Sequence, residues 1–215
     1  MSSSPTRIEH VETGKPIDAE LHDLLTLDDV LEAAAKWMPT KIQIVRELLA
    51  RAVPQNVWPQ ALHWNWVKKA AALQPYAPGP FSPYALFGLK AEDQWQGLLL
   101  GCCVGHQTRL APTGRDLVYI DYVESAPWNL SLAAIEQQPR FKGIGGQLFE
   151  LAVRWSDDLG FRGRVGLHSL PQSEGFYRGF CAMEDVGPDA NYQNLRYFEL
   201  DEAHAKMFLE EDEHA

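Results

Sequence analysis

Apolar positions along this chain change period as the sequence proceeds. From Val30 to Ala52 they recur at helical spacing. Val30, Leu31, Ala34 and Trp37 form one series and Ile42, Val45, Leu48, Leu49 and Ala52 a second, with Arg46, Glu47 and Arg51 on the wet side. Thr26 with Asp29, and Thr40 with Gln43, are spaced as capping pairs. Pro39 and Pro54 stand where the two series end, so the pattern predicts two helices divided at Pro39. Leu62, Trp66, Ala70 and Leu73 predict a third, closed by Pro75. The pattern then turns to that of strands. Tyr84 to Leu89 and Gln96 to Val104 read as a hairpin around the polar turn Ala91 to Gln94, and Leu117 to Val123 reads as a strand that is apolar apart from Asp121.

Glu124 to Gln138 is a long connection with a short helical turn around Leu130 to Ile135. Leu148, Leu151, Ala152 and Trp155 predict a helix that Gly160 ends. Arg164 to Leu170 then reads as a strand, Ser173 to Arg178 as a short helix with Gly179 at C′, and Cys181 to Val186 and Leu195 to Leu200 as strands. The first twenty-five residues carry weak strand signals, at Arg7 to Thr13 and Ile17 to Leu25. Residues 1–20 and 205–215 are expected to be poorly structured ends. Prolines 75, 78, 80 and 83 make a stiff connector. The helices before it need the following sheet as cover, so 1–215 is read as a single domain without internal repeats.

Composition narrows the class. With 46% hydrophobic and 22% charged residues the chain is an ordinary soluble globular one, long enough to bury a sizeable core. Nineteen Lys plus Arg against 29 Asp plus Glu give a net charge of −10, which argues against a nucleic-acid partner and is compatible with an amine-bearing one, while solubility alone accounts for it equally well. Glu210, Glu211, Asp212 and Glu213 put part of that balance in a solvated tail. Cys102, Cys103 and Cys181 form no CxxC pair and no zinc spacing with histidine, so reduced thiols and no metal are expected. The amino terminus is polar, and no run approaches the ~20 apolar residues of a membrane span. A cytoplasmic protein without membrane attachment is the expectation.

The densest chemical signal is Arg140-Phe141-Lys142-Gly143-Ile144-Gly145-Gly146-Gln147-Leu148, at the opening of a helix. Glycines let the backbone turn with its N–H groups outward, and the following helix adds unpaired N–H groups and a positive dipole end. A phosphate suits such a cradle, with Arg140 and Lys142 at its rim. A glycine-rich turn without ligand is the competing reading. A dinucleotide turn fits poorly, since Leu148 stands where the last glycine of G-x-G-x-x-G belongs.

Arg-x-x-Gly-x-Gly over Arg140 to Gly145 resembles the cofactor motif of the GNAT superfamily of N-acetyltransferases. Gly175-Phe176-Tyr177-Arg178-Gly179-Phe180 resembles the family's Phe-Tyr-x-x-x-Gly-Phe signature, shortened by two residues between Tyr and Gly. The order of elements matches over roughly residues 20 to 200. The resemblance implies an α/β fold of the α+β kind: a mixed, mostly antiparallel central sheet with splayed middle strands, flanked by helices. It implies direct acetyl transfer from acetyl-CoA to a primary amine of a small-molecule or peptide acceptor. Tyr122, Val123 and Ser125 are then the backbone contacts to the cofactor. Gly143, Ile144, Gly145, Gly146 and Gln147 are the pyrophosphate cradle, with Arg140 and Lys142 beside it.

Tyr177 matches the family's general acid, and Glu124 or Asp121 the base. A core role for Tyr177 and strand-end solvation for the two acids compete with this. His168 reads as a structural strand histidine, with a base or cleft-lining role as the alternative. Trp37, Trp58, Trp64 and Trp66 read as core and loop anchors, with a substrate-binding wall as the minority view. A homodimer is carried among the partners, and the sequence does not name the oligomeric state. The rival reading of the whole chain is a catalytically silent module that keeps the fold, binding acetyl-CoA, a partner protein, or both.

Overall fold

The computed structural model describes residues 3–74 and 82–210, so most of the proline-rich connector lies outside the described residues. The chain gathers into two compact units, Met1–Leu98 with Glu124–Gly145, and Leu99–Val123 with Gly146–Ala215.

The first unit opens on a hairpin, β1 (Ser3–His10) and β2 (Lys15–His22), paired antiparallel from Ser3↔His22 to His10↔Lys15. The poorly structured start expected for residues 1–20 is thus corrected. The signal is weak because the hairpin buries few apolar side chains, Ile8, Ala19 and Leu21 among them. Next come β3 (Tyr84–Ala91) and β4 (Gln94–Cys102), whose turn puts both Glu92 and Asp93 in the left-handed region, φ 50 and 56, the geometry of a tight two-residue hairpin. The two-residue β6 (Phe141–Lys142) lies on β1, and the strand order here is β6-β1-β2-β3-β4. β4 continues past Leu98 into the second unit.

Helix α1 is Leu27–Ala50, 24 residues, with the Thr26/Asp29 capping box expected. It does not break at Pro39. The proline is exposed, and so is Ala35, whose carbonyl loses its partner there and is left on the wet side of the helix, where water can satisfy it. The buried face is Val30, Ala33, Trp37, Lys41, Ile44 and Leu48, so the second half of the expected stripe is rotated: Ile42 and Leu49 are exposed. The third helix starts later than Leu62. A 3-10 turn covers Gln60–His63, and α2 (Trp66–Leu73) begins where the Asn65 side chain caps the Lys68 N–H at 2.9 Å. Trp58 joins Ile44, Leu48, Leu62 and Ile135 in a buried cluster.

The second unit holds β5 (Val118–Ser125, which leaves the unit after Val123), β7 (Val165–Ser169), β8 (Glu184–Asp189) and β9 (Leu195–Leu200), in the order β4-β5-β7-β9-β8. Its helices are α3 (Ile144–Asp158, from Gly146 on), α4 (Glu174–Gly179) and α5 (Glu202–Glu210). The poorly structured end expected from 205 is therefore helical as far as 210. Gly179 is inside α4 instead of its left-handed C′ residue; Ala182, at φ 50, takes that conformation. β7–β9 and β8–β9 are antiparallel, whereas β5–β7 is parallel and pairs only at Val118↔Val165 and Tyr119↔Gly166. Beyond these two pairs β5 and β7 are no longer partners of each other, which is the splay expected of the middle strands. The architecture is the mixed, mostly antiparallel α/β class. Among the described residues no helix is long and apolar enough to cross a membrane.

Candidate functional site

In the first unit the chemistry centres on Glu124, 3% exposed. Its Oε1 is 2.7 Å from Lys41 Nζ, and its Oε2 accepts a 2.6 Å bond from Trp66 Nε1. Lys41 also donates to the carbonyls of Ala61 at 2.9 Å and Trp64 at 3.4 Å, so a lysine on the inner face of α1 is fully engaged. Burial pushes the Glu124 carboxyl above its ordinary 4.5, and the Lys41 ammonium pulls the other way. Asp121 is exposed, so the two candidate bases occupy different environments. Lys41, Trp37, Trp64 and Trp66, with Met38 and Leu62, line a cavity of about 440 Å³. Trp37, Trp58 and Trp66 are buried core residues, as the anchor reading expects, and Trp37, Trp64 and Trp66 also face this cavity.

The approach to the glycine cradle is also built in this unit. The Ala126 N–H donates to the Gln96 carbonyl at 2.8 Å, and Gln96 Oε1 accepts from Trp128 Nε1 at 2.8 Å and Asn129 Nδ2 at 3.1 Å. Asn129 Oδ1 in turn accepts the Phe141 N–H at 3.0 Å. Ser125, half-buried, sits at the start of this bracket. Arg140 is paired with Glu92 and lies over the Phe141 ring, and Lys142 is 4.0 Å from Glu9. Both rim cations therefore have acidic neighbours of their own. Gly143 has φ +92, and a Cβ there would meet nothing within 4 Å, so this glycine serves the turn and faces open space. Ile144 is buried and Gly145 half-buried at the helix start.

The second unit gives Gly146 a different reason. A Cβ on it would lie 2.8 Å from the Phe180 ring, so it is a glycine for packing. Gln147, Tyr122 and Val123 are half-buried. Tyr177 is 6% exposed, its ring against Phe176 and Phe198, and burial pushes its hydroxyl far above the ordinary tyrosine value. It therefore keeps its proton at neutral pH, as a donor must.

His168 stands in a chain of polar groups. Its Nδ1 is 2.7 Å from Tyr119 Oη, its Nε2 is 3.1 Å from Asp189 Oδ2, and Arg109 holds the same Asp189 oxygen at 2.7 Å. The Tyr192 ring stacks on His168 at 3.8 Å, and His106 on Tyr119 at 4.2 Å. Hydrogen bonds from Arg109 and the Asn191 backbone hold Asp189 at about 2, and burial lowers His168 below 6.5. Neutral His168 then donates Nε2–H to Asp189 and accepts the Tyr119 hydroxyl proton at Nδ1, which fixes the tautomer. Tyr119 in turn is pushed up by burial and by Asp121. Such a chain can orient a histidine or pass a proton along it.

Lys41, Tyr119, Arg109 and Asp189 escaped the sequence reading, which has Trp66 as an anchor or wall residue and not as the partner of Glu124. Only Lys41 left a trace. It falls between Trp37 and Ile44 at steps of four and three, a lysine inside an apolar series. Among the described residues, no group of three or more His, Cys, Asp or Glu gathers as metal ligands would.

No protein-family model matches this sequence, and neither does any curated protein. Solved structures do. The GNAT domain of S. lividans PAT superposes with a TM-score of 0.52 at 12% identity, over 93% of this chain and 96% of that one. FeeM, an N-acyl amino acid synthase from uncultured soil microbes, gives 0.51 at 12%, over 88% and 93%. An uncharacterized protein from Bacillus halodurans gives 0.50 at 10%, over 95% and 94%. At such identities the likeness is one of fold.

Proposed function

We propose that this chain, which has the fold of the GNAT acetyltransferases, is an N-acetyltransferase moving an acetyl group from acetyl-CoA directly to a primary amine of a small-molecule or peptide acceptor. The observation that supports the reading is the early parting of β5 from β7 after two parallel pairs, the splay in which this fold would hold an extended ligand arm. The residues at the cradle fit the donor. Gly143 faces open space at a helix start, the surroundings a pyrophosphate needs. In this reading the backbone of Gly143, Ile144, Gly145, Gly146 and Gln147 holds the pyrophosphate. Arg140 and Lys142 exchange Glu92 and Glu9 for phosphate oxygens. Tyr122, Val123 and Ser125 hold the arm.

Bound acetyl-CoA supplies an acetyl carbon activated as a thioester. Glu124 takes the proton that the amine loses as its nitrogen bonds to that carbon, and burial, which raises its pKa above 4.5, makes it a better base than an exposed carboxylate. Tyr177 gives its proton to the sulfur as the C–S bond breaks. A cytoplasmic setting goes with this donor.

The second reading, a silent module, is favoured by one fact: Glu124 is buried, ion-paired with Lys41 at Oε1 and bonded to Trp66 at Oε2. Two measurements separate the readings. Acetyl-CoA at 100 times its dissociation constant adds about 2.7 kcal/mol of stability, and absence of any thermal shift overturns the acyltransferase reading. Thiol release over an amine panel comes next. Binding without release, together with Tyr177→Phe that changes nothing measurable, leaves the silent module.

A further inference from the structure

Helix α1 has a second apolar face besides the one it buries. Leu31, Ala35, Met38, Ile42, Val45 and Leu49 follow one another at steps of four, three, four, three and four residues, the a/d repeat of a coiled-coil seam. They are not core. Leu31 is 43% exposed, Met38 52%, Ile42 44% and Leu49 57%; Ala35 is exposed and Val45 half-buried. At 1.5 Å per residue this seam is about 27 Å long. An uninterrupted apolar row of that length on a soluble protein marks a contact surface.

The charges on its flank say what covers it. The spacing reads the same in both directions, so a second copy of α1 laid antiparallel matches Leu31 with Leu49, Ala35 with Val45 and Met38 with Ile42. That pairs an a position with a d position at every level, as antiparallel coiled coils require. The flank agrees. Glu32, Pro39 and Arg46 occupy the e positions, and e faces e in an antiparallel pair, so Glu32 of each copy comes near Arg46 of the other while Pro39 faces its own counterpart at the centre. Both charged residues are exposed. Glu32 engages Lys90 and Trp95 through Oε2, which leaves Oε1 for a guanidinium. Lys41 and Leu48, on the g side, are buried in the copy's own core and take no part.

We propose that the exposed seam of α1 is a homodimer interface, two antiparallel copies meeting about a twofold axis near Thr40. The interface is independent of the acyl-transfer reading.

Sedimentation velocity on the full chain over a wide concentration range tests it. A reversible dimer is expected. Ile42→Glu meets Met38 of the other copy twice and yields a monomer throughout, with far-UV circular dichroism and melting temperature kept because the position is exposed. Glu32→Arg and Arg46→Glu each weaken the dimer about tenfold, and the double exchange restores it. A wild-type chain that stays monomeric at every concentration overturns the proposal, as does an Ile42→Glu dimer. A double exchange no better than its singles overturns the antiparallel register.

Discussion

Lys41 and Glu124 neutralise each other where water does not reach, so neither is dispensable alone. Lys41→Met strands a carboxylate 3% exposed, and Glu124→Gln strands the ammonium. Each is expected to lose about 3–5 kcal/mol, because an uncompensated buried charge loses far more than an exposed pair gains. Replacing both, as Lys41→Met with Glu124→Leu, recovers most of that loss. Urea unfolding of the three variants closes the cycle, and additive losses would contradict a coupled pair. The same pair tunes the proposed chemistry. With Glu124 as base, kcat/KM rises with pH along a limb centred above 4.5. Removing the Lys41 ammonium takes away what pulls that carboxyl down, so the limb moves to higher pH in Lys41→Met. In Glu124→Gln it vanishes. A limb that stays put in both variants assigns the base elsewhere.

Glycines separate the elements that tolerate change from those that do not. Gly146 opens α3 against Phe180, an exposed ring that can swing away, so Gly146→Ala is expected to alter stability by under about 1 kcal/mol. Gly166 in β7 is different. A Cβ there would lie 2.2 Å from the Tyr197 hydroxyl, and Tyr197 is locked with Leu117 and Tyr119 in a buried cluster. Gly166→Ala is therefore expected to lose about 1–3 kcal/mol by overpacking. Calorimetry that ranks the two variants the other way would contradict this account. What the sequence could tell follows the same division between near and far. Strands β3, β4, β5, β7 and β9, the turn at Gly143 and helix α3 were readable because each is declared by neighbours. α1 was not, since Pro39 ends a helix only where the lost hydrogen bond cannot go to water, and its exposure is a tertiary fact. Splitting the helix there also hid the rotation that buries Lys41 and bares Ile42 and Leu49. In the candidate site, the glycine turn was legible from local order, whereas Glu124 was singled out only through the family resemblance. The partners of Glu124 and His168 were not legible, because contacts such as Trp66–Glu124, 58 residues apart, leave no mark on a single chain.

Across the whole molecule the shifted groups fix how stability answers to pH. His168 has its folded value lowered, chiefly by burial, so the unfolded chain takes up the proton first as pH falls. Its contribution is complete above 6.5 and is lost below it. His106 is lowered for the same first reason and adds to the trend. Asp189, lowered from 3.8 to about 2, keeps its contribution until the pH falls through that window, so it stays constant near neutrality. Glu124 runs the opposite way. Its raised value means the folded state binds the proton more tightly, and stability declines as pH rises through that value. From about pH 8 to 5, where histidines titrate, the histidine terms lead at first and the melting temperature is expected to fall. His168→Gln keeps a donor and an acceptor for Asp189 and Tyr119 but cannot titrate, so its melting temperature should fall less steeply over that range, leaving the His106 share. Scanning calorimetry at matched ionic strength measures both slopes. Equal slopes in wild type and His168→Gln would mean that the Asp189–His168–Tyr119 chain holds its histidine no more tightly in the neutral form than the unfolded chain does.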